Sequence, residues 1–226
     1  SAQRESFNAQ ASGYESDVNW TELNPSDLTV TTIDKPSEFT FRPDLLFGER
    51  YSDHMLEADW TREDGWGAPH ILPFGNLPMH PASSCLHYGV QCFEGLKVYR
   101  GVDDKLRMFR PLDHAKRFAF STARMTMPAI PPPVLVELMT ELVRKEQRFV
   151  PKDPGSMYLR PTMIGTMPKL GVTPPSHVKF FTICTPCGAY FKSGLKPMSL
   201  LADPTYVRAW HGSAGGAKVG PNYGPV

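Results

Sequence analysis

The stretch Gly95-Leu-Lys-Val-Tyr-Arg100-Gly-Val-Asp-Asp-Lys105-Leu-Arg-Met-Phe109 decides the fold class of this chain. Apolar and polar side chains alternate on both sides of Gly101–Asp104, and glycine and aspartate suit a tight turn, so the stretch predicts a β-hairpin. A helix is expected directly afterwards, because Pro111 suits a first helical position and apolar residues recur at helical spacing until Pro128. Strand and helix in close succession predict mixed α and β structure.

The pattern continues in both directions from the hairpin. A second amphipathic helix is predicted over about residues 133–149, with strands at 156–160 and 178–184, the latter central because it is nearly all apolar. Upstream, alternation over 54–60 and 70–74 predicts a meander, and residues 28–33 are the one credible strand of a polar N-terminal arm. We therefore expect an arm and small α+β domain over residues 1–187 and a linker over 188–199. A larger α/β domain would begin in residues 200–226, with a strand near 198–202.

Charge and cysteine content exclude several classes of function. The formal net charge is +1 over 226 residues, whereas a surface that tracks phosphates carries a strong basic excess, so no nucleic-acid partner is expected. No segment is apolar enough over the length of a bilayer, so no membrane partner is expected. Four cysteines make no disulfide framework, which favours an intracellular compartment, and no histidine spacing indicates a metal site. Cys184 and Cys187 are expected to be inert core thiols, because positions i and i+3 of a strand point to opposite faces.

One lysine in a glycine-rich segment is the candidate for chemistry. Lys218 stands in His211-Gly-Ser-Ala-Gly-Gly-Ala-Lys-Val-Gly220-Pro-Asn-Tyr-Gly-Pro225, which is poor material for a helix or strand interior. The segment is not a P-loop, because Ala217 and Val219 flank the lysine, and a solvated surface loop is the alternative. A lysine traps a carbonyl only as the neutral amine, which desolvation favours. If the carbonyl is that of pyridoxal phosphate, Tyr223 could bond its phenolate oxygen and an arginine could grip its phosphate.

Short motifs in a fixed order then connect the chain with a known family. They are Phe47-Gly, Ser52-Asp-His-Met-Leu56, His80-Pro-Ala-Ser83, Leu86-His-Tyr-Gly89, Phe93-Glu-Gly-Leu-Lys97, Phe109-Arg-Pro111, the Arg117 helix, Tyr158-Leu-Arg-Pro161, Leu170-Gly-Val172, Gly188-Ala-Tyr-Phe191, Arg208-Ala-Trp210 and Lys218 to Pro225. From about Phe47 to Pro225 the chain resembles the branched-chain amino acid aminotransferases, which are fold-type-IV enzymes of α/β class that depend on pyridoxal 5′-phosphate.

The resemblance implies roles for the cofactor-binding residues. Lys218 matches the Schiff-base lysine, which would also act as the general base, and Tyr223 matches the tyrosine that bonds the phenolate oxygen. Arg117 matches the phosphate-binding arginine, although alone it would be read as a solvated helix residue. Arg208 matches a position near the cofactor.

The resemblance also implies a substrate pocket and a homodimer. Arg160 matches a residue that accepts the distal carboxylate of glutamate. Leu170 and Val172 match a loop that reaches into the neighbouring subunit's site. Positions that line the side-chain pocket are matched by aromatic residues, each of which alone would be read as ordinary core: Phe47, Tyr88, Phe93, Tyr158 and Tyr190.

The implied reaction transfers the amino group of leucine, isoleucine or valine to 2-oxoglutarate, in the cytoplasm or mitochondrion. Family members continue well past Val226, with a glutamate that faces the pyridine nitrogen, so we expect a fragment, a splice product or a piece of a longer chain. If the 226 residues were the whole molecule, no transaminase activity would be expected. The alternatives are a D-amino-acid aminotransferase, an aminodeoxychorismate lyase or a non-catalytic fragment.

Overall fold

The computed structural model describes residues 18–188, 196–197, 199–203, 205 and 207–224. The hairpin around Gly101 is confirmed, with strands over Leu96–Arg100 and Leu106–Met108 that pair antiparallel. The N–H of Gly101 donates to the carbonyl of Lys105 over 2.9 Å. Asp104 takes a left-handed conformation, with φ 60°, which the tight turn requires.

The strands and helices follow one another along the chain in the expected alternation of types. In chain order they are β1 Thr29–Val30, β2 His54–Thr61, β3 Gly65–Trp66, β4 His70–Pro73, α1 Ser84–Tyr88, β5 Gln91–Phe93, β6 Leu96–Arg100, β7 Leu106–Met108, α2 Pro111–Arg124, α3 Pro132–Lys145, β8 Ser156–Gly165 and β9 His177–Cys187. Short 3-10 turns lie at Pro25–Asp27, Gln147–Phe149 and Gly220–Asn222.

All of these strands belong to one sheet of mixed α/β architecture. Its order is β1-β4-β2-β9-β8-β6-β7, with β3 paired to β2 and β5 paired to β8. The pairs are antiparallel except β1 with β4. Strand β9 lies between β2 and β8 and is buried along most of its length, as its apolar sequence predicts.

Helices α2 and α3 bury their apolar faces against the sheet and against each other. Phe118 of α2 and Leu138 of α3 are fully buried, and the ring of Phe118 lies 6.1 Å from that of Phe180 in β9. This separation suits an edge-on aromatic contact. The helices therefore fix α2 over the central strands, which places the residues on its exposed side at one edge of the core.

Several sequence-based boundaries differ from the structure. The helix expected over 133–149 ends at Lys145 and continues as the turn Gln147–Phe149, because the buried Glu146 turns its carboxylate towards His54. The strand expected over 28–33 has only two residues, since only Thr29 and Val30 pair with β4. Residues 199–202 form no strand, and Met198 lies outside the described residues. None of the described helices has both the length and the apolar character needed to cross a membrane.

Cys184 and Cys187 in β9 are buried free thiols, in agreement with the interpretation as core residues. Burial raises the pKa of the Cys184 thiol, which disfavours its thiolate.

Candidate active site

Backbone bonds to two elements hold Lys218 in place. Its carbonyl accepts from the N–H of Phe93 in β5 over 3.1 Å, and its N–H donates to Oγ of Ser121 in α2 over 2.9 Å. The neighbours Ala217 and Val219 are buried, whereas Lys218 itself is half-buried. Since alternate residues of an extended segment point to opposite sides, the Lys218 side chain points away from the core.

The glycine-rich segment is held by one buried amide. Nδ2 of Asn222 donates to the carbonyls of Ala214 and Ala217, over 3.0 and 2.9 Å. Gly220 lies so close to Gln91 that a Cβ at this position would overlap the Gln91 side chain. Residues 211–213 and 216 are exposed, so burial of the whole loop, which the sequence interpretation assumed, is not observed. Asn222 and the buried neighbours of Lys218 fix the segment instead.

Lys218 faces a cavity of about 390 Å³. Nζ of Lys218 lies 3.3 Å from the hydroxyl of Tyr223 and 4.5 Å from the ring centroid of Phe93. The Phe93 and Tyr223 rings lie 5.1 Å apart, so the amine is set between two aromatic faces. The cavity is lined by Phe47, Phe93, Lys97, Tyr158, Arg160, Cys187, Gly188, Lys218 and Tyr223.

A second cation lies across the cavity on β8. The Arg160 guanidinium lies 4.6 Å from the Phe93 ring centroid and 5.2 Å from that of Tyr158. Its Nη2 donates to the Tyr158 hydroxyl over 3.2 Å. Phe47 meets Tyr158 edge-on, with ring centroids 4.8 Å apart. The aromatic rings hold a charged group beside an apolar wall, an arrangement that can accept both an aliphatic chain and a carboxylate.

A third cation, Arg117, lies on α2 and pairs with the buried Glu94. Its Nε and Nη2 donate to the two carboxylate oxygens of Glu94, the latter over 2.8 Å. The hydrogen bond to Glu94 raises the pKa of Arg117, and the nearby phenol groups of Tyr223 and Tyr158 raise it further. Burial opposes ionisation of Glu94, but hydrogen bonds from Arg117, the Gly95 N–H and His114 lower the pKa of Glu94 overall.

The structure brings together most of the side chains that the sequence selected. Six of them line the cavity: Phe47, Phe93, Tyr158, Arg160, Lys218 and Tyr223. Leu170 and Val172 lie elsewhere, with 65% and 84% of their surfaces exposed. Tyr88 ends α1 and is also exposed, and Arg208 donates to the carbonyl of Gly215. Tyr190 lies outside the described residues.

Sequence reasoning missed several residues of this region. Lys97 lines the cavity from β6 and pairs in register with Tyr158, so strand alternation could have found it. Glu94 and Ser121 contact site residues from buried positions, and no motif of their own indicates that role. Cys187 and Gly188 line the cavity because β9 ends there.

Comparisons with known proteins agree with this site. No family model matches the chain. The chain is 46% identical to the cytosolic branched-chain-amino-acid aminotransferase of Mus musculus over 200 residues, which cover 88% of this chain and 52% of that protein. It is 45% identical to the mitochondrial enzyme of Bos taurus over 207 residues, which cover 89% of this chain and 52% of that protein.

Among solved structures, a bacterial-type branched-chain amino acid aminotransferase with pyridoxamine 5′-phosphate superposes with a TM-score of 0.53 and 27% identity. The match covers 74% of this chain and 52% of that one. The chain thus spans about half the length of the curated relatives it matches. Sequence and fold together make this chain a relative of the branched-chain-amino-acid aminotransferases, with the fold of type IV.

Proposed function

We propose that this chain carries the lysine-bearing active site of a branched-chain-amino-acid aminotransferase that uses pyridoxal 5′-phosphate. The observation that carries the proposal is the position of Lys218, whose amine faces a cavity 3.3 Å from the Tyr223 hydroxyl and shares that cavity with Arg160. Nearly half of the residues are identical to those of aminotransferases of this name over almost nine-tenths of the chain, which supports the same reaction.

The residues around the cavity fit the cofactor in charge and in kind. Lys218 supplies the amine that an aldehyde requires, and the Tyr223 hydroxyl supplies a donor for a phenolate oxygen beside it. Arg117 supplies a guanidinium for the phosphate, which it can bind with two parallel hydrogen bonds. Arg208 is a further candidate for contact with the cofactor, because it bonds Gly215 in the same glycine-rich segment.

When bound, the cofactor supplies an aldehyde that condenses with amines and a ring that withdraws electrons from the α-carbon of the substrate. Nζ of Lys218 acts as the general base, taking the α-proton of the amino acid and returning a proton at the cofactor side. The Tyr223 hydroxyl orients Nζ. The rings of Phe93 and Tyr223 exclude water from one side of the amine, which limits its solvation.

The same cavity accounts for the two kinds of substrate. The rings of Phe47, Phe93 and Tyr158 contact the aliphatic side chain of leucine, isoleucine or valine. The Arg160 guanidinium binds the distal carboxylate of 2-oxoglutarate or glutamate. Lys97 lies in register with Tyr158 and adds a second positive charge to this end of the cavity. Tyr88 and Tyr190 are proposed to complete the apolar wall.

Domain organisation, assembly and location are parts of the same proposal. Strand β9 ends at Cys187, which supports a small domain over residues 1–187, a linker over 188–199 and a large domain from residue 200. The exposed Leu170 and Val172 support a homodimer in which this loop reaches the neighbouring subunit's site. Relatives with cytosolic and mitochondrial names support an intracellular location in one of these compartments.

The test is a comparison of Lys218→Ala with the wild type in the full-length protein. The wild type should show the visible absorption band of the bound cofactor and convert leucine with 2-oxoglutarate to glutamate. Lys218→Ala should lose the band and lower kcat by about three orders of magnitude or more, since both the covalent link and the base are removed. Lys169→Ala, on the exposed segment near Leu170, is the matched control and should behave as wild type.

Two results would contradict the proposal. A wild type that prefers D-alanine to leucine would instead support a D-amino-acid aminotransferase. A wild type that shows no visible band at saturating pyridoxal 5′-phosphate would support a non-catalytic protein.

A further inference from the structure

Glu94 is a buried carboxylate whose bonds all lead to the edge of the cavity. The residue follows β5 and has no exposed surface. One of its oxygens accepts from Nε of Arg117, and the other accepts from Nη2 of Arg117 over 2.8 Å and from the N–H of Gly95 over 2.9 Å. Nδ1 of His114 lies 2.9 Å from the second oxygen. A buried charge with this many donors is held in one orientation.

The pairing uses only one edge of the Arg117 guanidinium. A guanidinium presents N–H groups along the edge formed by Nε and Nη2 and along the edge formed by both terminal nitrogens. Glu94 occupies the first edge. Within the described ranges of the chain, Nη1 of Arg117 forms no hydrogen bond, and about half of the side chain is exposed. The second edge is therefore available to another anion.

We propose that Glu94 is a positioning residue, which binds one edge of Arg117 so that the other edge is presented to the phosphate of the cofactor. The inference rests on the proposed function, because it takes Arg117 as the phosphate ligand. Without Glu94, the long arginine side chain would sample several rotamers, and binding a phosphate would have to restrict them. The carboxylate removes that cost in advance.

Helix α2 and strand β5 explain why the arrangement can be rigid. His114 and Arg117 lie three residues apart and so share one face of α2, and both contact Glu94. The N–H of Glu94 donates to the carbonyl of Pro161 in β8 over 2.8 Å, which fixes the backbone below the carboxylate. The position of Arg117 is therefore set by the sheet as well as by its own helix.

The experiment compares how the full-length protein binds pyridoxal 5′-phosphate and pyridoxal, which lacks the phosphate. The ratio of the two dissociation constants, measured from the visible absorbance, gives the preference for the phosphate. Glu94→Gln keeps the size but places an N–H against the N–H groups of Arg117, so we expect this preference to fall about ten-fold. Binding of pyridoxal should remain close to that of wild type, which a general loss of structure would not allow.

Further variants separate positioning from stability. Glu94→Asp keeps the charge but is too short to hold the same edge, so it should lower the preference as well, and it carries the test if Glu94→Gln does not fold. Glu146→Gln is the matched control, because Glu146 is also buried and bonds to a histidine and a backbone N–H. It should lower stability and leave the phosphate preference unchanged. Arg117→Lys should abolish the effect of Glu94→Gln when the two are combined.

The outcomes distinguish this inference from the proposed function. If the wild type binds pyridoxal 5′-phosphate no better than pyridoxal, the phosphate-binding role of Arg117 fails and the inference fails with it. If the wild type prefers the phosphate and both Glu94 variants retain that preference, only the positioning role of Glu94 is overturned.

Discussion

At the scale of single residues, the shape of the cavity depends on an absent side chain. Gly95 lies beneath Tyr158, and a Cβ at this position would overlap the hydroxyl and the ring of that tyrosine. Tyr158 also bonds Arg160 and meets Phe47 edge-on, so its displacement would move both neighbours. The glycine thus decides where one wall of the cavity can stand.

We expect Gly95→Ala to lower the free energy of unfolding by about 1–3 kcal/mol, because the added methyl overpacks a region that cannot expand freely. Urea denaturation of the full-length protein measures this change. Gly75→Ala is the control, because its Cβ would meet nothing nearer than 3.9 Å. In a Tyr158→Ala background the cost of Gly95→Ala should disappear, and equal costs in both backgrounds would argue against the overlap.

At the scale of secondary-structure elements, one hydroxyl joins α2 to the lysine segment. Oγ of the buried Ser121 donates to the carbonyl of Arg117 over 3.0 Å and accepts from the N–H of Lys218 over 2.9 Å. The bond from Phe93 in β5 holds the other side of Lys218. Helix and strand together therefore set the height of the lysine above the core.

Ser121→Ala should leave the Lys218 N–H without its acceptor and cost about 1–3 kcal/mol of stability. Amide hydrogen exchange at Lys218 should become faster, while exchange in the central strand β9 should change only by the global loss of stability. Thr140→Ala is the control, since its hydroxyl bonds only within α3, to the carbonyl of Val136. Unchanged exchange at Lys218 would show that the bond does not hold the segment.

At the scale of the whole molecule, buried carboxylates tie the sheet to the segments packed on it. Glu94 pairs with Arg117 of α2, and Asp53, just before β2, pairs with Arg148 and with the Ser37 hydroxyl. Burial opposes ionisation of Asp53, but the bonds from Ser37 and Arg148 lower its pKa overall. The pKa of Glu94 is lowered in the same way.

These shifts predict a loss of stability in acid. Because both pKa values are lower in the folded state, the unfolded chain binds more protons, and stability rises with pH in this window. The stabilisation is complete above the ordinary values of 4.5 for Glu94 and 3.8 for Asp53, and is lost as the pH falls through the folded values. Urea denaturation from pH 7 downwards measures the slope, which should be shallower in Glu94→Gln/Asp53→Asn. An equal slope in that variant would assign the acid sensitivity to other groups.

The sequence by itself determined the types and order of the elements and the identity of the reactive lysine. The hairpin, the helix that starts at Pro111 and the central β9 follow from local periodicity, turn residues and apolar content, which act over a few residues. Family motifs in order selected Lys218, Tyr223 and the aromatic wall before their distances were known. The end of α3 at Lys145 could not be predicted, because a contact between Glu146 and His54, far apart in the chain, decides it.

Only the tertiary structure decided which residues support the lysine and the arginine. Ser121, Asn222 and Glu94 act through single hydrogen bonds to distant segments, and such bonds leave no period or spacing in the sequence. The use of one edge of Arg117 by Glu94 is likewise a matter of orientation, which depends on how α2 packs against β5 and β8. Local sequence sets which groups are present, and long-range packing sets where each of them points.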